Sequence, residues 1–162
     1  MIYIGLGANI KYKDNLSLVD SLNLAMEKMS FLSIKIIQKS SFFLSAPVPL
    51  TDQPWFVNSV ISIETTLTPS KLLKNLHCLE KNFGRKREKK WGPRSLDLDI
   101  ISYNEIESNE QIYLPHPRMH ERAFVLYPLQ ELNKNWFHPV LGKSVCQLIK
   151  ELPSGQVIRK IS

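Results

Sequence analysis

The pattern of apolar and polar positions changes its period along the first part of the chain. Residues 2–7 (IYIGLG) form a short apolar run, which predicts a buried strand. After Asp14 or Asn15, apolar residues recur at three- and four-residue spacing, which predicts a helix that begins there. The apolar stripe of this helix consists of Leu18, Leu22, Ala25 and Met29.

Two segments rich in β-branched and aromatic residues follow this helix. Residues 33–43 and 56–65 roughly alternate and contain no internal glycine or proline, so each predicts one strand. The stretch 45–54 between them holds Pro47, Pro49 and Pro54 and is too long for a tight hairpin. Loops of this kind are usually functional.

A second helix and a fourth strand complete the predicted core. Thr68 is a suitable N-cap, Pro69 suits the first helical position, and Gly84 ends the helix. Residues 95–103 (SLDLDIISY) predict the fourth strand. The order βαββαβ favours an α+β, ferredoxin-like core, with an antiparallel sheet and both helices on one face. Helical patterns at 119–132 and 144–152 predict C-terminal additions, and the polar stretch 104–111 predicts a surface turn.

Length and cysteine content narrow the class of protein. A chain of 162 residues suits a single domain, 1–162, with its own core. Cys78 and Cys146 are too few and too far apart for a disulfide framework or a four-ligand zinc site, so we expect buried free thiols in a reducing compartment. The start lacks a leader pattern, and no apolar run approaches the ~20 residues that span a bilayer. We therefore expect a cytoplasmic protein without a membrane partner.

The net charge of +6 is concentrated in one segment. Residues 81–94 (KNFGRKREKKWGPR) hold seven cations and one anion, while the 14 basic and 14 acidic residues elsewhere cancel. A concentrated positive patch on an otherwise neutral domain indicates a polyanionic ligand.

Two aspartates directly follow this basic segment. Because alternate side chains of a strand share a face, Asp97 and Asp99 point one way, and Leu96, Leu98 and Ile100 point the other way. Carboxylates about 7 Å apart suit Mg²⁺, which binds one or two carboxylates together with substrate phosphates. Alternating aspartates can also simply face solvent, but the adjacent cations exceed what two carboxylates require.

The basic segment contains the residue types that bind phosphates and rings. Arg85 and Arg87 can fork onto the same phosphates, and Lys90 and Arg94 add further charge. Trp91 offers a flat face for a base or ring. A solvated charge run is the plainer interpretation, but a tryptophan, a glycine and a proline inside the run argue against it.

Two further pairs share a face of their predicted elements. His77 and Glu80 lie three apart on the second helix, which suits either a nucleotide contact, surface placement or, with a third ligand, zinc. Phe56 and Asn58 lie two apart on the third strand. The aromatic ring could stack on a heterocycle while the amide hydrogen-bonds to it, or the pair could pack in the core with the amide satisfied there.

Taken together, these segments resemble the 6-hydroxymethyl-7,8-dihydropterin pyrophosphokinases of folate biosynthesis, from Ile2 to about Leu141. The pieces are GLGAN (5–9), FFLSAP (42–47), DQPWFVN (52–58), GRKREKKWGPRSLDLDI (84–100) and LPHPRMHERAFVLYPL (114–129). The third and fourth pieces are highly specific in this order and spacing.

The resemblance implies transfer of a pyrophosphoryl group from ATP to the hydroxymethyl oxygen of the pterin, with release of AMP. It implies that Asp97 and Asp99 hold two Mg²⁺ ions and that Arg85 and Arg94 share the catalytic work. The implied triphosphate contacts are Arg85, Arg87, Lys90, Arg94, His116 and Arg122, and the implied nucleoside contacts are His77, Glu80 and Ile100. The implied pterin contacts are Ser45, Ala46, Val48, Phe56, Asn58 and Phe124, and Trp91 is expected to serve both substrates.

Two other functions remain open at this point. Ferredoxin-like sheets with aromatic residues and basic loops also bind single-stranded RNA, although paired carboxylates on the sheet would repel phosphates without a metal. The chain could also cleave ATP differently, or bind these ligands without catalysis. The resemblance favours a monomer that acts on two small molecules, ATP and hydroxymethyldihydropterin, and not on nucleic acid.

Overall fold

The computed structural model describes residues 1–86 and 90–161. The first part contains β1 (Ile2–Ala8), α1 (Leu18–Met29), β2 (Lys35–Lys39), β3 (Phe43–Ser45), β4 (Phe56–Glu64), α2 (Pro69–Asn82) and β5 (Asp97–Tyr103). The second part contains β6 (Ser108–Asn109), β7 (Tyr113–Leu114), α3 (Ala123–Leu132), β8 (Phe137–His138), β9 (Lys143–Ser144), α4 (Val145–Lys150) and β10 (Ile158–Lys160). Within the described residues, none of these helices has the length and apolarity needed to cross a membrane.

The main sheet is antiparallel and places β1 next to β5, which carries the two aspartates. Its strand order is β10-β3-β4-β1-β5, and β2 also pairs with β4. On β5, Asp97 lies opposite Gly7 and Asp99 lies opposite Gly5 of β1. Gly7 in turn lies opposite Asn58 of β4. The register therefore brings the amide and the carboxylates into neighbouring positions of three adjacent strands.

The starts of α1 and α2 follow from local capping. Thr68 caps α2 as predicted, since its hydroxyl accepts a hydrogen bond from the backbone N–H of Lys71 at 3.4 Å. α1 begins later than the predicted start at Asp14 or Asn15, because Ser17 forms a capping box with Asp20. The Ser17 hydroxyl accepts from the Asp20 N–H at 3.0 Å, and the Asp20 carboxylate accepts from the Ser17 N–H at 3.3 Å.

The prediction of one strand over residues 33–43 is wrong, because the chain forms β2 and β3 with a break between them. Ser40 lies at this break and explains it. Its backbone N–H donates to the Val60 carbonyl at 2.9 Å, but the Val60 N–H donates to the Ser40 hydroxyl at 3.0 Å. A side-chain oxygen thus takes the place of a backbone carbonyl, and the regular ladder ends.

The two faces of the main sheet are covered by different parts of the chain. α1 and α2 pack on one face, where Leu22, Leu72 and Leu76 are fully buried. α3 and α4 cover part of the other face, where they pack on Tyr3 and Ile101. The C-terminal additions therefore form one wall beside the face that carries Asp97 and Asp99.

The two cysteines are free thiols, but the expectation that both are buried is wrong. Cys78 is exposed and Cys146 is half-buried. The inner side of α2 is occupied by Leu76 and Leu79, which leaves Cys78 on the outer side of the helix.

His138 makes the stability of the fold depend on pH. The side chain is buried, its Nδ1 accepts a hydrogen bond from the Leu141 N–H at 3.2 Å, and its ring meets that of His120 edge-on. Burial, followed by the charge of His120, lowers the pKa of His138 from 6.5 to about 4. Between these two values only the unfolded chain binds the proton, so stability falls as pH drops from 6.5 towards 4.

We expect His138→Asn to weaken this pH dependence, because asparagine can still accept from Leu141 but does not titrate. The contribution removed is at most about 1.4 kcal/mol per pH unit. Urea unfolding at pH 7.0 and pH 5.0 measures it in both proteins. Equal losses of unfolding free energy in the two proteins would contradict the role of His138.

Candidate active site

A cavity of about 260 Å³ lies on the face of the sheet that α3 partly covers. Its floor comes from the adjacent strands β1, β4 and β5 through Gly5, Gly7, Asn58, Asp97 and Asp99. The two glycines keep this floor open. A Cβ atom on Gly7 would approach the Asn58 Oδ1 to 3.2 Å, and one on Gly5 would approach the Ile101 side chain to 3.1 Å.

Asp97 is held by two arginines at the edge of the sheet. Its Oδ1 accepts a hydrogen bond from Arg94 at 2.7 Å and lies 2.9 Å from a guanidinium nitrogen of Arg85. The Asp97 side chain remains 27% exposed, so the carboxylate is oriented and still open to the cavity.

Asp99 lies beside Asp97 and is less fully paired. Its Oδ2 is 3.8 Å from the His116 Nε2 and 3.8 Å from a guanidinium nitrogen of Arg122. Burial of the carboxyl group, although the side chain keeps 38% exposure, and then the charge of Asp97 raise the pKa of Asp99 to about 6. Burial and the positive charges of Arg122 and Arg118 lower the pKa of His116 to about 4. Asp97 is therefore closely paired with two arginines, whereas both partners of Asp99 lie near the far limit of an ion pair.

Glu80 of α2 supports the carboxylates from behind the strand. The side chain is 1% exposed, and its Oε1 accepts from the backbone N–H of Leu98 at 2.7 Å. The same oxygen forms an ion pair with Arg85, whose side chain is 11% exposed. Because Leu98 stands between Asp97 and Asp99, this contact fixes the segment of β5 that presents both aspartates.

The cavity is also lined by aromatic and small polar side chains from β3, β4 and α3. The residues predicted as pterin contacts all line it: Ser45, Ala46, Val48, Phe56, Asn58, Trp91 and Phe124. Asn58 is buried, and its amide nitrogen donates to the Ser45 hydroxyl at 2.8 Å. This hydrogen bond fixes the orientation of the amide.

A second pocket of about 680 Å³ lies along α2. His77, Glu80 and Arg85 line it, together with Gln111 and Ile112 after the sheet. Arg85 connects the two pockets, because it lines this one and pairs with Asp97 in the first.

The other predicted residues are placed in three ways. Lys90, Trp91, Arg94, His116 and Arg122 all line the first cavity. Ile100 is 4% exposed, packs in the core under α1 and α2, and is a wall residue of neither pocket. Arg87 lies outside the described residues. Within those residues, no group of three or more histidine, cysteine, aspartate or glutamate side chains could hold a metal, so His77 and Glu80 find no third such ligand there.

Three residues at the cavity were not singled out from the sequence. Asn9 is buried at the end of β1, where its side chain donates to Gln53 at 2.9 Å and accepts from the Arg94 N–H at 2.7 Å. Gln53 donates to the Trp91 carbonyl at 2.8 Å, and the Arg118 guanidinium lies over the Trp91 ring. All three join segments far apart in sequence, and each lies in one of the quoted motifs: GLGAN, DQPWFVN or LPHPRMHERAFVLYPL.

Comparison with known proteins identifies the family. A sequence model described as 7,8-dihydro-6-hydroxymethylpterin-pyrophosphokinase (HPPK) matches residues 3–134. The chain belongs to the HPPK family. The Haemophilus influenzae 2-amino-4-hydroxy-6-hydroxymethyldihydropteridine pyrophosphokinase is 40% identical over 97% of this chain and 96% of that protein.

HPPK sequences also occur within longer proteins. The folic acid synthesis protein fol1 of Pneumocystis carinii is 38% identical over 93% of this chain, which spans only 20% of that protein. The crystal structure of the Plasmodium falciparum HPPK-DHPS has a TM-score of 0.67 and 13% identity, covering 93% of this chain and 45% of that one. This structural likeness shows that the HPPK chain has the same mixed fold with an antiparallel sheet.

Proposed function

We propose that this HPPK chain transfers pyrophosphate from ATP to the hydroxymethyl group of 6-hydroxymethyl-7,8-dihydropterin in folate biosynthesis. The hydroxymethyl oxygen attacks the β-phosphorus, the bond between the α- and β-phosphates breaks, and AMP leaves. The observation that carries this proposal is that one cavity is lined both by Asp97 and Asp99 and by Asn58 with the aromatic residues Phe56 and Phe124. Family membership supplies the identities of the two substrates.

The two pockets suggest where each substrate binds. The pterin would lie between Phe56 and Phe124 with Asn58 at its edge, and the nucleoside would lie along α2 near His77. The triphosphate would then pass Arg85, which lines one pocket and pairs with a carboxylate of the other. This arrangement places the phosphate chain beside Asp97 and Asp99, where the hydroxymethyl group can reach it.

Asp97 and Asp99 fit Mg²⁺ by their chemistry. Both offer carboxylate oxygens from one strand, and burial and mutual repulsion raise the pKa of Asp99 to about 6, which a cation between them would reverse. We propose that the pair holds two ions. Mg²⁺ bound there would neutralise charge on the phosphate chain.

The protein's own part in the reaction is positioning and charge neutralisation. Phosphoryl-type transfer leaves little covalent work to the enzyme, so rate comes from aligning oxygen and phosphorus. Arg94, Lys90, His116 and Arg122 line the cavity around the proposed phosphate position. Arg85 and Arg94 already orient Asp97. With ATP bound, their guanidinium groups would have to contact both this carboxylate and the phosphates.

We also infer that the core is ferredoxin-like. The order β3-β4-β1-β5, the antiparallel pairings, and the packing of α1 and α2 on one face support this finer assignment. The chain would then be one pyrophosphokinase domain with its C-terminal elements added on the other face.

Asn58→Leu is expected to raise the KM for the pterin about a hundredfold and to leave the KM for ATP within about twofold. The reason is that a site built to hydrogen-bond a polar edge loses that discrimination when its buried partner becomes apolar. Steady-state kinetics with each substrate varied in turn measures both constants. Asn23→Leu, on α1 away from both pockets, is the control, and an equal change in both KM values for Asn58→Leu would contradict a pterin-specific role.

Isotope transfer tests the proposed chemistry. ATP labelled with ³²P at the β-phosphorus and ATP labelled at the γ-phosphorus should each give a labelled pterin product. Label from the γ-position alone would show transfer of one phosphoryl group and would overturn the proposal.

A further inference from the structure

Trp91 is held by two segments that are distant from it in sequence. Its carbonyl accepts a hydrogen bond from the Gln53 amide at 2.8 Å, and the Arg118 guanidinium carbon lies 4.2 Å from its ring centroid. The backbone of Trp91 has φ of +67°, a conformation that non-glycine residues adopt only when their surroundings favour it. Contacts from other segments therefore help to determine where this ring stands.

Arg118 is suited to this task by its chemistry. Within residues 1–86 and 90–161, no carboxylate lies within ion-pair distance of its guanidinium, which lies over the Trp91 ring. A planar, weakly hydrated guanidinium stacks on an aromatic face, whereas a lysine ammonium is a compact point charge. The backbone N–H of Arg118 donates to the His116 Nδ1 at 3.2 Å, which anchors the start of the side chain.

This contact limits what Trp91 can do in the cavity. A guanidinium 4.2 Å from the centroid occupies one face of the ring, so a substrate ring could stack only on the other face. Trp91 and Arg118 both line the cavity, and Arg94, three residues after Trp91, bonds Asp97 at 2.7 Å. A shift of Trp91 would therefore change the shape of the cavity wall. It would also move the segment that carries Arg94 towards or away from Asp97.

We propose that Arg118 is a positioning residue for this reaction, which holds Trp91 as a fixed wall of the substrate cavity and acts through that ring. The contact between Arg118 and Trp91 exists in the protein without substrates. The claim that the ring held in this way contacts a substrate rests on the proposed function.

Kinetics and a double-mutant cycle test the proposal. Arg118→Gln should raise the KM for the pterin about two- to fivefold, the size of a partly exposed cation–π contact, with kcat within twofold. In a Trp91→Leu background the same change should have no further effect. Arg118→Lys should restore little, because lysine lacks the planar group. Full rescue by lysine, a fall mainly in kcat, or an undiminished effect without Trp91 would show a direct phosphate contact and overturn the proposal.

Acrylamide quenching of the substrate-free protein separates this proposal from the proposed function. The signal of Trp91 is the difference between each protein and its Trp91→Leu counterpart, which removes the contributions of Trp55 and Trp136. Arg118→Gln should increase quenching of Trp91, and Arg159→Gln, an exposed arginine on β10, should not. Increased quenching in a protein without pyrophosphokinase activity would leave the contact standing and reject only the function, whereas unchanged quenching would reject the contact.

Discussion

Asp97→Ala and Asp99→Ala are each expected to lower kcat by at least about a thousandfold while the protein remains folded. Both side chains are partly exposed in the cavity, so their loss removes little packing. What is lost is the charge that would hold Mg²⁺ against the phosphate chain, and removal of one preorganised electrostatic group alone costs about 10²–10³ in rate. Single-turnover kinetics with saturating ATP and pterin measures the effect.

A matched control is Asp14→Ala, an exposed carboxylate before α1, which should keep the parental rate. Calorimetric titration with Mg²⁺ and a non-hydrolysable ATP analogue supplies a readout that does not depend on turnover. We expect weaker metal-dependent binding in both cavity variants. Parental rates in either variant would remove that residue from the metal site.

Glu80→Ala is expected to reduce both stability and rate. Its carboxylate is buried and accepts from Leu98 while pairing with Arg85, so its removal leaves a backbone donor and a guanidinium short of a partner. Breaking a buried pair in this way costs about 3 kcal/mol of unfolding free energy. The rate should fall about 10- to 100-fold, as for other residues that orient metal ligands, because the strand between Asp97 and Asp99 loses its support. Urea unfolding and kcat measurement test the two effects.

Glu80→Gln separates the hydrogen bond from the charge. Glutamine retains an oxygen that can accept from Leu98, so we expect this variant to keep most of the stability and to lose mainly the ion pair with Arg85. Glu27→Ala, on the exposed side of α1, should change neither quantity. If the glutamine and alanine variants are equally destabilised, the contact with Leu98 is not the source of the effect.

The parts of the fold that were predictable from sequence depend on local patterns. The period of two placed Asp97 and Asp99 on one face and Leu98 on the other, and the structure confirms this separation. The Thr68 cap was also predictable from sequence, because an N-cap interacts only with residues in the first turn of its helix. The break at Ser40 was not readable, because it depends on a hydroxyl that meets Val60 twenty positions later.

The candidate site divides in the same way. Residues carried by the DQPWFVN and WGPRSLDLD motifs, such as Asn58 and Arg94, were found and do line the cavity, although their roles stay predictions. Asn9, Gln53 and Arg118 were missed because their structural roles depend on contacts between distant segments. Asn9 bonds Gln53 and Arg94, and both Gln53 and Arg118 contact Trp91. Pairing of β10 with β3 was missed for the same reason, since a three-residue strand has no pattern of its own.

The nucleotide product tests the central claim most directly. The protein is incubated with ATP, Mg²⁺ and 6-hydroxymethyl-7,8-dihydropterin, and the nucleotides and pterins are separated and quantified over time. We predict AMP and the pterin diphosphate in equal amounts, with neither formed when the pterin is omitted. Formation of ADP, or of AMP without a pterin diphosphate, would contradict pyrophosphoryl transfer at this site.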